Sequence, residues 1–113
     1  MKTRITRDEL RRRLDAGTPT ILLEALPEKY YLDGHLPGAL QINYEHARNE
    51  AAARAPDKNA TVVVYCASET CRNSDIAANQ LDALGYADVR VYVEGKKDWM
   101  EAGLPVVKRE RAA

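Results

Sequence analysis

The run Thr61-Val62-Val63-Val64-Tyr65 restricts the fold more than any other segment, because it is apolar on consecutive residues and ends in a thiol, Cys66. Such a run reads as a strand buried on both faces. A helical pattern begins near Asn73, so Cys66-Ala67-Ser68-Glu69-Thr70-Cys71-Arg72 bridges a strand and a helix. The first N–H groups of a helix have no internal partners and carry the positive end of its dipole, which stabilises a thiolate or a bound anion. The sequence therefore predicts a lowered Cys66 pKa and a reactive sulfur.

The other segments alternate around this strand. Thr6-Arg7-Asp8-Glu9 has the form of a capping box, and Leu10 and Leu14 follow at helical spacing, which predicts a helix from Thr6 to Ala16 ended by Gly17. Thr20–Glu24 reads as a buried strand, Pro27–Asp33 as a helical turn, Gly34–Gly38 as loop and Ala39–Ile42 as a short strand. Tyr44–Ala55 is composed of helix formers, and Pro56-Asp57-Lys58-Asn59 closes that element. Beyond the cysteine loop, Ile76, Ala77, Gln80, Leu81 and Leu84 mark an amphipathic helix ended by Gly85. Val89–Val93 alternates as a last strand, and Gly95 opens a short helix with Trp99 and Met100. Strands separated by helices predict an α/β domain, a mainly parallel sheet of about five strands with helices on both faces.

Length bounds the domain count: 113 residues fit one domain over 1–113, with a core over about 5–108. Seventeen basic and seventeen acidic side chains cancel, so overall charge gives no pointer to nucleic acid. The opening residues lead into a charged helix and not an apolar run, and no segment approaches the roughly 20 apolar residues that span a bilayer. The expected compartment is the cytoplasm, with neither nucleic acid nor membrane as a partner. Two cysteines five positions apart make no disulfide framework, and no Cys/His set has zinc spacing. No metal and no cofactor are expected.

In a parallel α/β sheet ligands bind outside the carboxyl ends of strands, where Cys66 stands. Inward-turned amides of Ala67, Ser68, Glu69, Thr70 and Cys71 would make a concave anion site, with the planar cation of Arg72 at its rim.

These residues, with others along the chain, are similar to a known family. Glu28–Ala39 resembles its P-x-x-Y-x-x-G-H-[IL]-P-G-A segment, and Val62–Cys66 and the helix with Ser74, Ala77, Ala78 and Leu81 follow in order. Gly85-Tyr86, then Glu94-Gly95, Trp99 and Ala102–Val106 resemble its terminal G-G-x-x-x-W-x-x-A-G-x-P-V segment. The family is the single-domain rhodanese-like sulfurtransferases. The resemblance implies the rhodanese fold, with Cys66 as the persulfide-forming nucleophile. It also implies a small sulfur-containing anion or persulfide as donor and a thiol or protein as acceptor. The implied reaction has two steps: Cys66 takes the outer sulfur of thiosulfate, a polysulfide or a protein persulfide, and an acceptor then removes it.

Three departures bear on what the loop accepts. Glu69 stands where the family usually has glycine, and Ser74 lies eight residues from Cys66. Five residues between Cys66 and Arg72 also match the C-x5-R signature of cysteine phosphatases, although Tyr65 replaces the His expected before the cysteine. Cys71 is the third departure. Either it attacks an oxidised Cys66 and closes a disulfide, or it is a small apolar loop residue.

Glu24-Ala25-Leu26 stands where the family usually reads Asp-Val-Arg, so a basic side chain near the pocket is missing. Thiosulfate is accordingly expected to be a weak donor. His35 reads as structural, Trp99, Met100 and Leu104 as core or pocket wall, and Arg11-Arg12-Arg13 as a solvated face. Lys96-Lys97 reads either as a steering pair at the pocket mouth or as a solvated one. The rival from another class is a non-catalytic interaction module in which the cysteine is incidental.

Overall fold

A computed structural model describes residues 2–109 of the chain. Its elements run β1 (Lys2–Arg4), α1 (Arg7–Asp15), β2 (Ile21–Glu24), α2 (Glu28–Asp33) and β3 (Leu40–Gln41). A 3-10 turn (Tyr44–His46), α3 (Ala47–Arg54), β4 (Thr61–Tyr65), α4 (Asn73–Ala83), β5 (Asp88–Tyr92) and α5 (Gly95–Glu101) complete the order.

The five strands form one sheet in the order β1-β5-β4-β2-β3, and every pairing is parallel. β4 is central, with Val62 opposite Ile21 on one side and Val89 on the other. Its residues alternate between two cores. Val62 and Val64 pack with Ala47 and Ala51 of α3 and Ala77, Ala78 and Leu81 of α4. Val63 and Tyr65 pack on the opposite face with Leu10 of α1, Tyr31 of α2 and Trp99 of α5. Both faces are covered, so polar alternation within β4 would leave buried groups without partners, and the strand is apolar throughout for that reason.

The Thr6 capping box forms as expected, with the Thr6 hydroxyl accepting from Glu9 N–H and the Glu9 carboxylate accepting from Thr6 N–H. Three details depart from the sequence reading. Lys2–Arg4 is an edge strand paired with Val89–Val91, although its charged residues show no strand pattern. At an edge one face and one rim meet water, so that pattern is not required. Tyr44–Ala55 divides into a 3-10 turn capped by the Asn43 side chain and a separate helix from Ala47. Ile76, expected on the buried face of α4, is 41% exposed because Ala77, Ala78 and Leu81 supply that face. Among the described residues no helix is long and apolar enough to cross a membrane.

Candidate functional site

Cys66 follows the last residue of β4 at the carboxyl edge of the sheet. The loop after it folds back, with Cys71 N–H donating to the Ser68 carbonyl at 3.0 Å. Cys66 Sγ donates to the Cys71 main-chain oxygen at 3.3 Å and lies 3.4 Å from Ser74 Oγ. The thiol is 1% exposed, whereas Ala67, Glu69, Thr70 and Arg72 are exposed and Ser68 and Cys71 half-buried.

This geometry corrects the expected acidity of the thiol. Burial pushes the Cys66 thiol pKa up, and the Cys71 side chain pushes it in the same direction. Ser74, in the first turn of α4, opposes this through its hydroxyl and its main-chain N–H. The helix start does act on the sulfur, but desolvation of a nearly inaccessible thiol outweighs it. A carbonyl aimed at Sγ favours the protonated form.

The loop is held from behind by α5. Lys96 N–H donates to the Cys66 carbonyl and Lys97 N–H to the Ala67 carbonyl, each at 2.8 Å. Gly95, at φ +71°, lets α5 approach this closely: a Cβ there would lie 2.5 Å from the Cys66 oxygen and 3.0 Å from Ser68 N. Since C=O and N–H point oppositely across a planar peptide, fixing these two carbonyls toward α5 turns the Ala67 and Ser68 amides the other way.

The residues that the sequence pointed to in this region fall in a contact cluster around Cys66 and along three clefts. Cys66 is in contact with both Cys71 and Ser74. Cys71, Arg72 and Ser74 line a cleft of about 520 Å³ together with Glu69, Asp75 and Val93. Ser68, Glu69 and Thr70 line a second cleft of about 220 Å³, which also holds Lys97 and the acidic side chains of Glu94, Asp98 and Glu101. A third cleft of about 290 Å³ opens on the far flank at Ala67, between Leu26, Tyr30, Lys96 and Met100, with largely apolar walls.

Lys96 is not a steering residue at the pocket mouth. Its ammonium group is 3.0 Å from Glu24 Oε1 and donates to the carbonyls of Gly34 (2.6 Å) and Tyr30 (3.0 Å). Glu24 is fully buried and also accepts from the Tyr65 hydroxyl at 2.8 Å, while that hydroxyl accepts from Leu36 N–H at 3.0 Å. Burial raises the Glu24 carboxyl pKa against the pull of Lys96 and Tyr65. This network escaped sequence reasoning because its members lie far apart in the chain. A signal was present nonetheless: an acidic residue at the end of an apolar strand requires a buried partner.

His35 is buried, stacked on Tyr31 with ring centroids 3.7 Å apart, and its Nδ1 lies 2.8 Å from the Tyr31 carbonyl. It ties α2 to the loop. Trp99 is buried and donates to the Pro105 carbonyl at 2.8 Å, Leu104 packs against the same core, and Met100 is an exposed wall of the apolar cleft. Among the described residues no group of three or more His, Cys, Asp or Glu is placed to hold a metal ion.

Comparison with known proteins agrees with this architecture. Over 102 residues the chain is 34% identical to the HTH-type transcriptional regulator Rv0324 of Mycobacterium tuberculosis, covering 90% of this chain but spanning only 43% of the regulator. It is also 34% identical over 83 residues to the thiosulfate sulfurtransferase PspE of Escherichia coli, covering 74% of this chain and 73% of that protein. A solved structure of a rhodanese with anions from E. coli superposes with a TM-score of 0.67 at 31% identity, covering 79% of this chain and 98% of the other. A sequence model for the rhodanese-like domain matches residues 6–102, and with the parallel sheet and the cysteine at its carboxyl edge this shows that the chain belongs to the rhodanese-like family.

Proposed function

We propose that this protein is a sulfurtransferase that carries sulfane sulfur as a persulfide on Cys66. The observation that supports this reading most directly is the setting of the sulfur. It sits at the end of the central strand, beside the Ser74 hydroxyl and N–H, in a loop whose carbonyls are locked toward α5. The Cys66 thiolate attacks the outer sulfur of a donor such as thiosulfate; the donor S–S bond breaks, and sulfite leaves with its electron pair. Loop amides and Arg72 hold the anionic group as charge shifts onto it. A thiol or protein nucleophile then takes the sulfur and returns Cys66 to its starting state. Residues 5–108 serve as one unit in this reaction, which needs no cofactor and suits the cytoplasm, where thiols stay reduced.

The test is intact mass after incubation with thiosulfate and with benzenethiosulfonate. Release of sulfite or benzenesulfinate with transfer of one sulfur atom to the chain, abolished in Cys66→Ser, is expected. If no donor releases its leaving group to the folded protein, the reading is wrong. Because the thiol pKa is raised, the rate of Cys66 alkylation by iodoacetamide is expected to keep climbing with pH beyond the point where a free cysteine levels off. A plateau in the neutral range would contradict that.

A second reading is favoured by a specific pair of observations. Cys66 is buried as a thiol, and one relative is a transcriptional regulator. In that reading the domain is an interaction module. It predicts neither sulfur transfer to Cys66 nor release of sulfite or benzenesulfinate under any donor, the outcome that overturns the first.

A further inference from the structure

We infer that Cys71 is a resolving residue, which converts the Cys66 persulfide into a Cys66–Cys71 disulfide and releases sulfide. This inference rests on the persulfide reading above and adds to it a second product and a second thiol.

Two observations on geometry carry it. The turn closed by Cys71 N–H and the Ser68 carbonyl folds residue 71 back over the nucleophile, so that Cys66 Sγ touches the Cys71 main chain at 3.3 Å. Direct contact of the two residues is what the short Cα separation of a disulfide, about 4.4–6.8 Å, requires. Accessibility then decides which thiol meets the inner sulfur. Cys66 is 1% exposed, so an external thiol meets the outer, transferable sulfur of the persulfide before the inner Sγ. Cys71 is held beside Cys66 by the fold and needs no approach from solvent, and a tethered partner has a large effective concentration.

Cys71 also has an outlet. It is half-buried and opens on the cleft of about 520 Å³ that it lines with Arg72, where the space lets sulfide leave and a reductant enter. Both thiols are free in this structure. A charge on Cys71 raises the Cys66 pKa, so the two sulfurs are electrostatically in touch.

The step balances without an added oxidant. The Cys71 thiolate attacks Cys66 Sγ, the bond from Sγ to the outer sulfur breaks, and that sulfur leaves with the electron pair as hydrosulfide. The two cysteines are oxidised to the disulfide by two electrons, and the sulfane sulfur taken from the donor is reduced by two. Reopening the disulfide for another cycle requires a dithiol reductant.

The experiment follows one turnover of the reduced, full-length protein with thiosulfate, and with benzenethiosulfonate in parallel, in the absence of any other thiol. Sulfide is measured with a sulfide-selective probe and intact mass under denaturing, non-reducing conditions, for the wild type, Cys71→Ser, Cys71→Ala and Cys66→Ser. The wild type should release sulfide and end lighter by two hydrogens. Both Cys71 variants should instead stop at the added sulfur atom, with sulfide falling to the background of Cys66→Ser. If the wild type also stops at the added sulfur, or the Cys71 variants release sulfide as fast as it does, the resolving role is wrong and the persulfide reading stands. If no variant gains sulfur and no sulfite appears, the persulfide reading fails, and this step fails with it.

Discussion

In the proposed reaction Glu69 is the residue expected to weigh most on which donors the loop tolerates. It is exposed on the loop and faces the cleft that already holds Glu94, Asp98 and Glu101, with Lys97 as the cation among them. Two unit charges about 4 Å apart in a water-like dielectric repel by ~1 kcal/mol, and a dianion by roughly twice that. Glu69→Gly is therefore expected to raise kcat/KM for thiosulfate by up to about thirtyfold while changing little for an uncharged donor. A steady-state comparison of thiosulfate with an uncharged organic trisulfide checks it, and equal gains for both would mean that loop flexibility and not charge was responsible. At this scale the sequence showed Cys66 and its loop clearly, since a strand ending in a thiol is local information. It misjudged the acidity of that thiol, because burial and the Cys71 carbonyl depend on how the loop folds back, which no local pattern records.

The element that decides the loop's shape is α5. The position of this helix was legible from Gly95 and Trp99, but its contact with the cysteine loop was not, since residues 66 and 96 lie 30 positions apart in the chain. Gly95→Ala places a Cβ against the Cys66 oxygen at a positive φ, so strain and a steric clash act together. The expected result is a loss of roughly 1–3 kcal/mol of stability, read from urea denaturation, and a sharp drop in sulfur uptake by Cys66 under conditions where the protein is still folded. Retained uptake would show that the loop does not rely on this close approach. The contrast with Tyr44–Ala55 is instructive: helix propensity was present along that stretch, yet the Asn43 side-chain cap and the turn it forms divided it. Propensity sets the material, and capping sets the limits.

For the molecule as a whole, the buried pair Glu24–Lys96 joins the sheet to α5, and the bonds of Lys96 to the Tyr30 and Gly34 carbonyls bring in α2. Removing one partner leaves the other charge buried, so Lys96→Met should cost about 3 kcal/mol or more, while Glu24→Gln combined with Lys96→Met should recover a large part of that loss. Equal stability of the single variant and the wild type in urea would refute the assignment. The Glu24 carboxyl also sets a pH dependence. Its pKa is raised in the folded state, so the folded protein keeps a proton that the unfolded chain has released. Stability is therefore expected to fall as pH rises through the weakly acidic range just above the usual carboxylate value, and Glu24→Gln should flatten that slope. The parallel order of strands and helices was readable from hydrophobic runs because burial on two faces leaves a mark on every residue. The edge strand at Lys2–Arg4 and the interior ion pair were not, since one is half solvated and the other links positions 72 residues apart.

The lock between α5 and the cysteine loop also has a meaning in time. A ribosome delivers β4 and Cys66 before residues 95–97, so during synthesis the Cys66 and Ala67 carbonyls have no donors to fix them. The two carbonyls are fixed only when α5 arrives, so the loop is the last part of the site to reach its final shape during synthesis.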